Sequence, residues 1–151
     1  MRKLTIAIAT LAAAAILAVG SAEARKKPAK AEPVVDIEIN ISDQSMSVDV
    51  NGWSYANWRV STARDGYYTP RGRYRVQRMA KEYYSQKYDN SPMPYSVFFK
   101  GGYAIHGTDY VRSLGRPASH GCVRLHPRNA ARLFSLVQKY GMHRTRITLV
   151  D

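Results

Sequence analysis

Cys122 is the only cysteine of the chain, and it lies in a segment from His106 to Leu125 that also holds two of the four histidines. A lone thiol acts as a small buried hydrophobe, a metal ligand or a nucleophile. Gly121, directly before the cysteine, argues against a buried hydrophobe. Glycine permits unusual backbone geometry and close approach by another group, and a core position needs neither. A zinc site would need histidines whose spacing from the cysteine matches no standard ligand pair: His106, His120 and His126. The residues therefore favour a nucleophile, and neither a metal nor a cofactor is expected.

A nucleophilic thiol needs a base that takes its proton, a group that orients this base, and donors for an oxyanion. His106 and His120 are both candidates for the base. We prefer His106, because a base from another segment has more freedom to reach the sulfur. A neighbouring imidazole lowers the pKa of a thiol from about 8.5, which predicts a thiolate near neutral pH. The expected oxyanion donors are the backbone N–H groups around His120, Gly121 and Cys122.

The first elements that must position these residues are predicted by hydrophobic alternation. Apolar and polar residues alternate over 35–41 and again over 46–50, which is typical of half-buried strands. Asn51-Gly52 then predicts a hairpin, because both positions tolerate positive φ, and 53–60 is its partner strand.

Turn residues divide the middle of the chain. Residues 69–72, Thr-Pro-Arg-Gly, predict a turn before a strand over 73–77. Two glycines between 96–99 and 103–106 predict a second hairpin. Residues 80–94 are polar and rich in tyrosine and fit no regular element, and the segment around Cys122 is predicted to lie outside regular structure.

One amphipathic helix is predicted over 127–140. Pro127 suits its first turn and Gly141 can end it. Apolar residues recur between them at helical spacing: Ala130, Leu133, Phe134, Val137 and Tyr140. With a last strand over 145–150, the chain predicts a mainly β domain, a β-sandwich or partial barrel with one late α-helix.

The segment around Cys122 resembles the signature of the L,D-transpeptidase catalytic-domain family, the peptidoglycan cysteine transpeptidases. The matching residues are Ser119-His120-Gly121-Cys122-Val123-Arg124-Leu125, His106-Gly107-Thr108 and Leu114-Gly115. The upstream sequence agrees at Val60-Ser61-Thr62, Thr69-Pro70-Arg71-Gly72 and Met93-Pro94. The resemblance covers residues 35–151 and implies the fold of that family. The departure from the pattern is Ala63, where many members carry glycine.

The resemblance implies a role for each matching residue. Cys122 is the expected nucleophile and His106 the general base, with the Gly107 carbonyl orienting its ring. Both His120 and Gly121 belong to the expected oxyanion region. Substrate binding is expected from Arg124, Ser119 and Thr108. On the residues alone, Arg124 is equally suited to bracing the Cys122 loop through bonds to backbone carbonyls.

The implied reaction is attack of Cys122 on the L,D bond before the terminal D-Ala of a peptidoglycan tetrapeptide stem. D-Ala leaves, and an acceptor amine from a neighbouring stem or an envelope protein resolves the thioester. One alternative is an L,D-carboxypeptidase, in which water is the acceptor, and another is a non-catalytic peptidoglycan-binding module. A papain-like endopeptidase fits less well, because its cysteine normally precedes its histidine in the chain.

The N-terminal segment predicts the compartment. Residues 1–24 begin with Arg2 and Lys3, continue in an apolar stretch too short to span a bilayer, and end in small residues at the cleavage positions. They predict a secretory signal peptide, followed by a flexible linker over 25–33 and the catalytic domain over 34–151. The expected location is therefore the periplasm or cell envelope.

Charge is the unusual feature of the composition. The 151 residues suffice for one domain, and 23 Lys+Arg against 11 Asp+Glu give a net charge of +12. Such a balance commonly indicates a polyanionic partner. Export favours carboxylate-rich wall polymer over nucleic acid, and the basic residues are scattered instead of forming a stripe. Nucleic acid is not an expected partner. Contact with the membrane is expected only through the signal peptide during export.

Overall fold

The computed structural model of the protein describes residues 33–151. The predicted signal peptide and residues 25–32 of the predicted linker lie outside this range, so both remain predictions. Within the described range, no helix is long and apolar enough to cross a membrane.

Residues 33–151 form eleven strands, one α-helix and two short 3-10 helices. The strands are β1 (Val35–Asn40), β2 (Ser45–Val50), β3 (Trp53–Arg59), β4 (Gly72–Arg75), β5 (Arg78–Ala80), β6 (Tyr84–Ser85), β7 (Ser91–Pro92), β8 (Ser96–Lys100), β9 (Tyr103–Gly107), β10 (Val123–Leu125) and β11 (Thr145–Val150). The α-helix, α1, is Pro127–Tyr140, and the 3-10 helices are Val111–Ser113 and Met142–Arg144.

The first sheet has the strand order β3-β2-β1-β11-β4, with β1 parallel to β11 and its other pairs antiparallel. Alternation makes one face of β1 apolar, so Val35, Ile37 and Ile39 are buried. Asn51 and Gly52 have φ values of 53° and 79°, and they connect β2 to β3 as the sequence predicts.

The second sheet has the order β10-β9-β8-β5, in which β10 runs parallel to β9. Side chains from both sheets and from α1 share one hydrophobic core, which includes Ile37, Val48, Ile105, Leu125 and Leu133. The mainly β fold with one late α-helix is therefore confirmed.

Helix α1 begins and ends where the sequence predicts. The His126 side chain caps it by accepting a hydrogen bond from the backbone N–H of Arg128 at 3.2 Å. Its buried residues are Ala130, Leu133 and Val137. Gly141 ends the helix with a φ of 98°.

Three local predictions are corrected. The turn predicted over 69–72 lies earlier, at Asp65–Gly66, and Gly72 instead begins β4. The unassigned segment 80–94 contains the two-stranded sheet of β6 and β7. The Cys122 segment is not wholly irregular, because β10 follows the cysteine directly. A three-residue strand such as β10 has too little alternation to be predicted from its sequence.

Candidate active site

The parallel pairing of β9 and β10 brings the two predicted catalytic residues to one face of the second sheet. Val123 pairs with Ile105, and both side chains lie in the core. Successive side chains alternate between the faces of a strand, so His106 and Arg124 lie on the opposite face. Cys122 directly precedes β10 and shares this face. Neighbouring strands are about 4.8 Å apart, so residues far apart in sequence become close neighbours.

A cavity of about 730 Å³ opens on this face. Both Cys122 and His106 line it. Further lining comes from residues 83–93, from the connection after β9 and from Arg64. The sequence thus folds so that the thiol and the imidazole share one concave, partly polar space, as a substrate site requires.

The imidazole of His106 is oriented by the backbone. Its Nδ1 lies 2.7 Å from the carbonyl oxygen of Gly107. A carbonyl only accepts, so Nδ1 carries the proton and Nε2 holds a lone pair when the ring is neutral. Burial lowers the pKa of His106 to about 4. At neutral pH the ring is therefore uncharged and able to accept a proton.

The thiol of Cys122 differs from the sequence-based expectation. Burial raises the pKa of Cys122 above its ordinary value, despite opposing effects from the Ala104 backbone and from Arg124. The predicted thiolate is therefore wrong for the resting protein: a neutral thiol accompanies a neutral imidazole. Desolvation disfavours both charged forms, and the chain sequence carries no direct sign of this burial.

The backbone before β10, residues 116–122, forms the nucleophile loop. Within it, the Ser119 hydroxyl donates to the Cys122 carbonyl oxygen at 2.6 Å and accepts from the Gly121 N–H at 3.0 Å. Ser119 is only 1% exposed. Its predicted contact with substrate is therefore not what the structure shows: the side chain positions the loop. The Gly121 N–H, which was predicted to belong to the oxyanion region, is thus bonded within the loop.

Gly121 is required by its surroundings. Its φ is 127°, a value that L side chains rarely adopt. An added Cβ would lie 2.8 Å from the ring of Tyr103 and 2.8 Å from the carbonyl oxygen of Tyr68. The glycine that the sequence placed beside the nucleophile thus allows close packing of the loop against two other segments.

Thr69 fixes the loop from the side of the first sheet. Its hydroxyl donates to the Gly121 carbonyl oxygen at 2.8 Å and accepts from the Ala63 N–H at 3.0 Å. The residue is 2% exposed. The sequence predicts Thr69 only as part of a turn, although its place in the Thr69-Pro70-Arg71-Gly72 motif is a signal for this role.

A second buried support was not predicted. The Gln44 amide group donates to the Thr62 hydroxyl at 2.6 Å and accepts from the Thr62 N–H at 2.9 Å. The carbonyl oxygen of Thr62 in turn accepts from the N–H groups of Ala118 and Ser119, each at 2.9 Å. No sequence signal marks Gln44, because its partner lies in a different strand connection.

The imidazole of His120 contacts two tyrosine rings. Its ring centroid is 4.5 Å from that of Tyr88, in a stacked arrangement, and 4.6 Å from that of Tyr67. The pKa of His120 is lowered, first by desolvation and then by the positive charges of Arg64 and Arg124. Tyr88 belongs to residues 81–95, which we call the tyrosine segment.

The two remaining predicted substrate contacts, Arg124 and Thr108, both line the cavity. Arg124 donates to the Ala118 carbonyl oxygen at 3.2 Å, so it also braces the nucleophile loop. Thr108 is 4% exposed, and its hydroxyl accepts from the Tyr110 N–H at 3.2 Å. Within residues 33–151, no group of three or more His, Cys, Asp or Glu side chains is arranged to hold a metal ion.

Comparison with known proteins agrees with this geometry. Residues 35–148 match the family profile of the L,D-transpeptidase catalytic domain, YkuD. The YkuD protein of Bacillus subtilis (strain 168) is 24% identical over 117 residues, which are 75% of this chain and 64% of that protein.

Solved structures share the fold. An L,D-transpeptidase from Xylanimonas cellulosilytica is 26% identical with a TM-score of 0.64, over 80% of this chain and 62% of that one. An L,D-transpeptidase in complex with imipenem is 22% identical with a TM-score of 0.68, over 78% and 59% of the two chains. This chain thus spans less than two thirds of the length of these relatives. The match to the family profile covers most of this chain, so the chain belongs to the L,D-transpeptidase catalytic-domain family.

Proposed function

We propose that this protein is an L,D-transpeptidase that acts on peptidoglycan stem peptides through Cys122. The observation that carries the proposal is the pair formed by Cys122 and a backbone-oriented, neutral His106 at one cavity. The family membership supports the same chemistry. A non-catalytic binding module would not need an imidazole whose Nδ1 is fixed by Gly107 so that Nε2 can accept a proton.

In the proposed reaction, His106 Nε2 takes the thiol proton as the Cys122 sulfur attacks the carbonyl carbon of the L,D bond. Because both groups are neutral at rest, proton transfer accompanies the attack. The amides of His120 and Cys122 stabilise the oxyanion of the tetrahedral intermediate. The C–N bond then breaks, the imidazolium protonates the leaving D-Ala amine, and a thioester remains.

An acceptor amine resolves the thioester, and His106 again takes the proton that is released. A neighbouring stem supplies this amine in cross-linking, and an envelope protein supplies it in protein attachment. No cofactor takes part in this scheme. The predicted signal peptide supports action in the periplasm or cell envelope, where such stems occur.

The test is incubation of the purified protein with defined tetrapeptide muropeptides, with products measured by mass spectrometry. We expect D-Ala release and cross-linked dimers, whereas tripeptides without dimers would favour the L,D-carboxypeptidase. Cys122→Ala should release no D-Ala while keeping a melting temperature close to wild type, because the substitution removes a single heavy atom, the sulfur. Imipenem should add one covalent mass to the wild type and none to Cys122→Ala. Turnover retained by Cys122→Ala would contradict the mechanism.

A further inference from the structure

The cavity carries more positive than negative charge. Arg64, Lys87 and Arg124 line it, and Asp109 is the acidic residue among the described lining residues. The ion pairs within residues 33–151 involve other groups, Arg71 with Asp151 and Arg146 with Asp36. The three cavity cations thus have no salt-bridge partner in the described part of the chain, and they remain available to an anionic ligand.

Each of these cations lies over the ring of a tyrosine. The distances from the cationic centre to the ring centroid are 5.0 Å for Arg64 and Tyr67, 5.4 Å for Lys87 and Tyr88, and 5.5 Å for Arg124 and Tyr110. Cation–π contact restricts a long side chain that would otherwise sample many rotamers. The positive charges are therefore presented at defined places around the cavity.

Two of these tyrosines also contact His120: the Tyr88 ring is stacked on the imidazole, and the Tyr67 ring meets it edge-on. The backbone N–H of Arg64 also donates to the Ser119 carbonyl oxygen at 3.0 Å. These contacts tie Arg64 to the nucleophile loop and Lys87 to His120. Both cations are thereby linked, directly or through Tyr88, to the nucleophile loop that contains Cys122.

We infer that Arg64 and Lys87, together with Arg124, make the site selective for acyl donors with free carboxylates over donors whose carboxylates are amidated. The inference rests on the proposed function and specifies which charge state of the acyl donor the site prefers. These cations can form ion pairs with a free carboxylate, and an arginine can bind it through two parallel hydrogen bonds. A primary amide of the same shape carries no charge. Pairing with an exposed cation corresponds to about a two- to fivefold preference.

The test compares two soluble tetrapeptide stems that differ only in one carboxylate, either free or present as a primary amide. Carboxylates of the second and third residues are examined separately. Binding is measured by calorimetry in a Cys122→Ala background, which prevents turnover. We expect about tenfold tighter binding of the free acid at low salt, and a smaller ratio as salt screens the charges.

Arg64→Gln and Lys87→Gln should each reduce that ratio about two- to fivefold. The matched controls are Arg132→Gln and Lys139→Gln, which remove cations that also lie over tyrosine rings but do not line the cavity. These controls should leave the ratio unchanged.

Equal affinity for the two stems, or an equal loss of preference in the control variants, would overturn the inference. D-Ala release is measured in parallel with the active protein. Absence of release from both stems would overturn the proposed function, whereas the binding ratio still decides whether the cations select free carboxylates.

Discussion

The nucleophile loop and the tyrosine segment meet at the same cavity, but they are held there by different forces. The nucleophile loop is fixed by hydrogen bonds that the hydroxyls of Ser119 and Thr69 donate and that the carbonyl oxygen of Thr62 accepts. The tip of the tyrosine segment is connected by β6 and β7, strands of two residues each, and reaches the site through stacking of Tyr88 on His120.

This difference matters because hydrogen bonds are directional, whereas ring contacts tolerate a range of offsets and angles. Chemistry at Cys122 needs a sulfur and oxyanion donors that are placed within a fraction of an ångström. Contacts with a variable peptide substrate tolerate adjustment. We therefore expect changes around the loop to act on kcat and changes in the tyrosine segment to act on KM.

The largest effect is expected from His106→Asn. The Asn side-chain amide can replace Nδ1–H as donor to the Gly107 carbonyl, but it cannot accept the thiol proton. We expect the acylation rate to fall by about 10²- to 10⁴-fold, as for removal of a general base. Single-turnover acylation by imipenem, followed by mass spectrometry, measures this loss. A rate within a few-fold of wild type would assign the base elsewhere, with His120 as the first alternative.

The His106→Asn variant also tests how the burial of His106 affects the pH dependence of stability. The pKa of His106 is about 4 in the folded protein and near 6.5 when the chain is unfolded. Between these values the unfolded state binds the extra proton, so acid progressively lowers the free energy of unfolding from pH 6.5 to pH 4. Protonation of His106 should account for a loss of about 3 kcal/mol in the free energy of unfolding over this pH range. Denaturant unfolding of His106→Asn should lack that part of the pH dependence. Identical pH profiles for variant and wild type would contradict the burial effect.

Thr69→Val should damage the loop without touching the reacting atoms. It leaves the Ala63 N–H and the Gly121 carbonyl without their partner, which costs about 1–3 kcal/mol of stability. Displacement of the loop should lower kcat about ten- to hundredfold with little change in KM. Thr145→Val is the matched control, because it removes another buried hydroxyl away from the cavity. If both variants lower kcat equally, Thr69 has no special positioning role.

Arg124→Lys tests a residue of β10 that both braces the nucleophile loop and lines the cavity. Lysine cannot reproduce the bond to the Ala118 carbonyl together with a bidentate carboxylate contact. We expect a stability loss of about 1 kcal/mol, slower reaction with small thiol reagents, and a raised KM. An unchanged melting temperature with a raised KM would restrict Arg124 to substrate binding.

Tyr88→Leu should have the smallest effect. Loss of the ring contact with His120 should raise KM about two- to tenfold, with kcat and melting temperature close to wild type. Tyr84→Leu is its control within the tyrosine segment, because Tyr84 is exposed and does not line the cavity. A large fall in kcat for Tyr88→Leu would show that the segment positions the chemistry after all.

Local sequence patterns determined much of the fold. The period-two alternation of β1 and β2, the Asn51-Gly52 hairpin and the Pro127-to-Gly141 helix depend on neighbouring residues only, so they could be predicted directly. The side-chain types around Cys122 likewise indicated the family. Short elements such as β10 could not be predicted from local patterns. The position of the turn before β4 was also predicted wrongly, because a proline and a glycine suggested a turn over 69–72, whereas the folded chain turns at Asp65–Gly66.

Tertiary structure alone decided how the site is assembled. The parallel register of β9 and β10 places His106 and Cys122 on one face. Thr62 and Thr69 contact the nucleophile loop, and Gln44 contacts Thr62, only because distant segments pack together. Burial in the folded chain also raises the pKa of Cys122, which is opposite to the direction predicted from the sequence. The sequence shows which residue types are present, but the pKa of a group depends on the solvent and charge around it, and these are set when the chain folds.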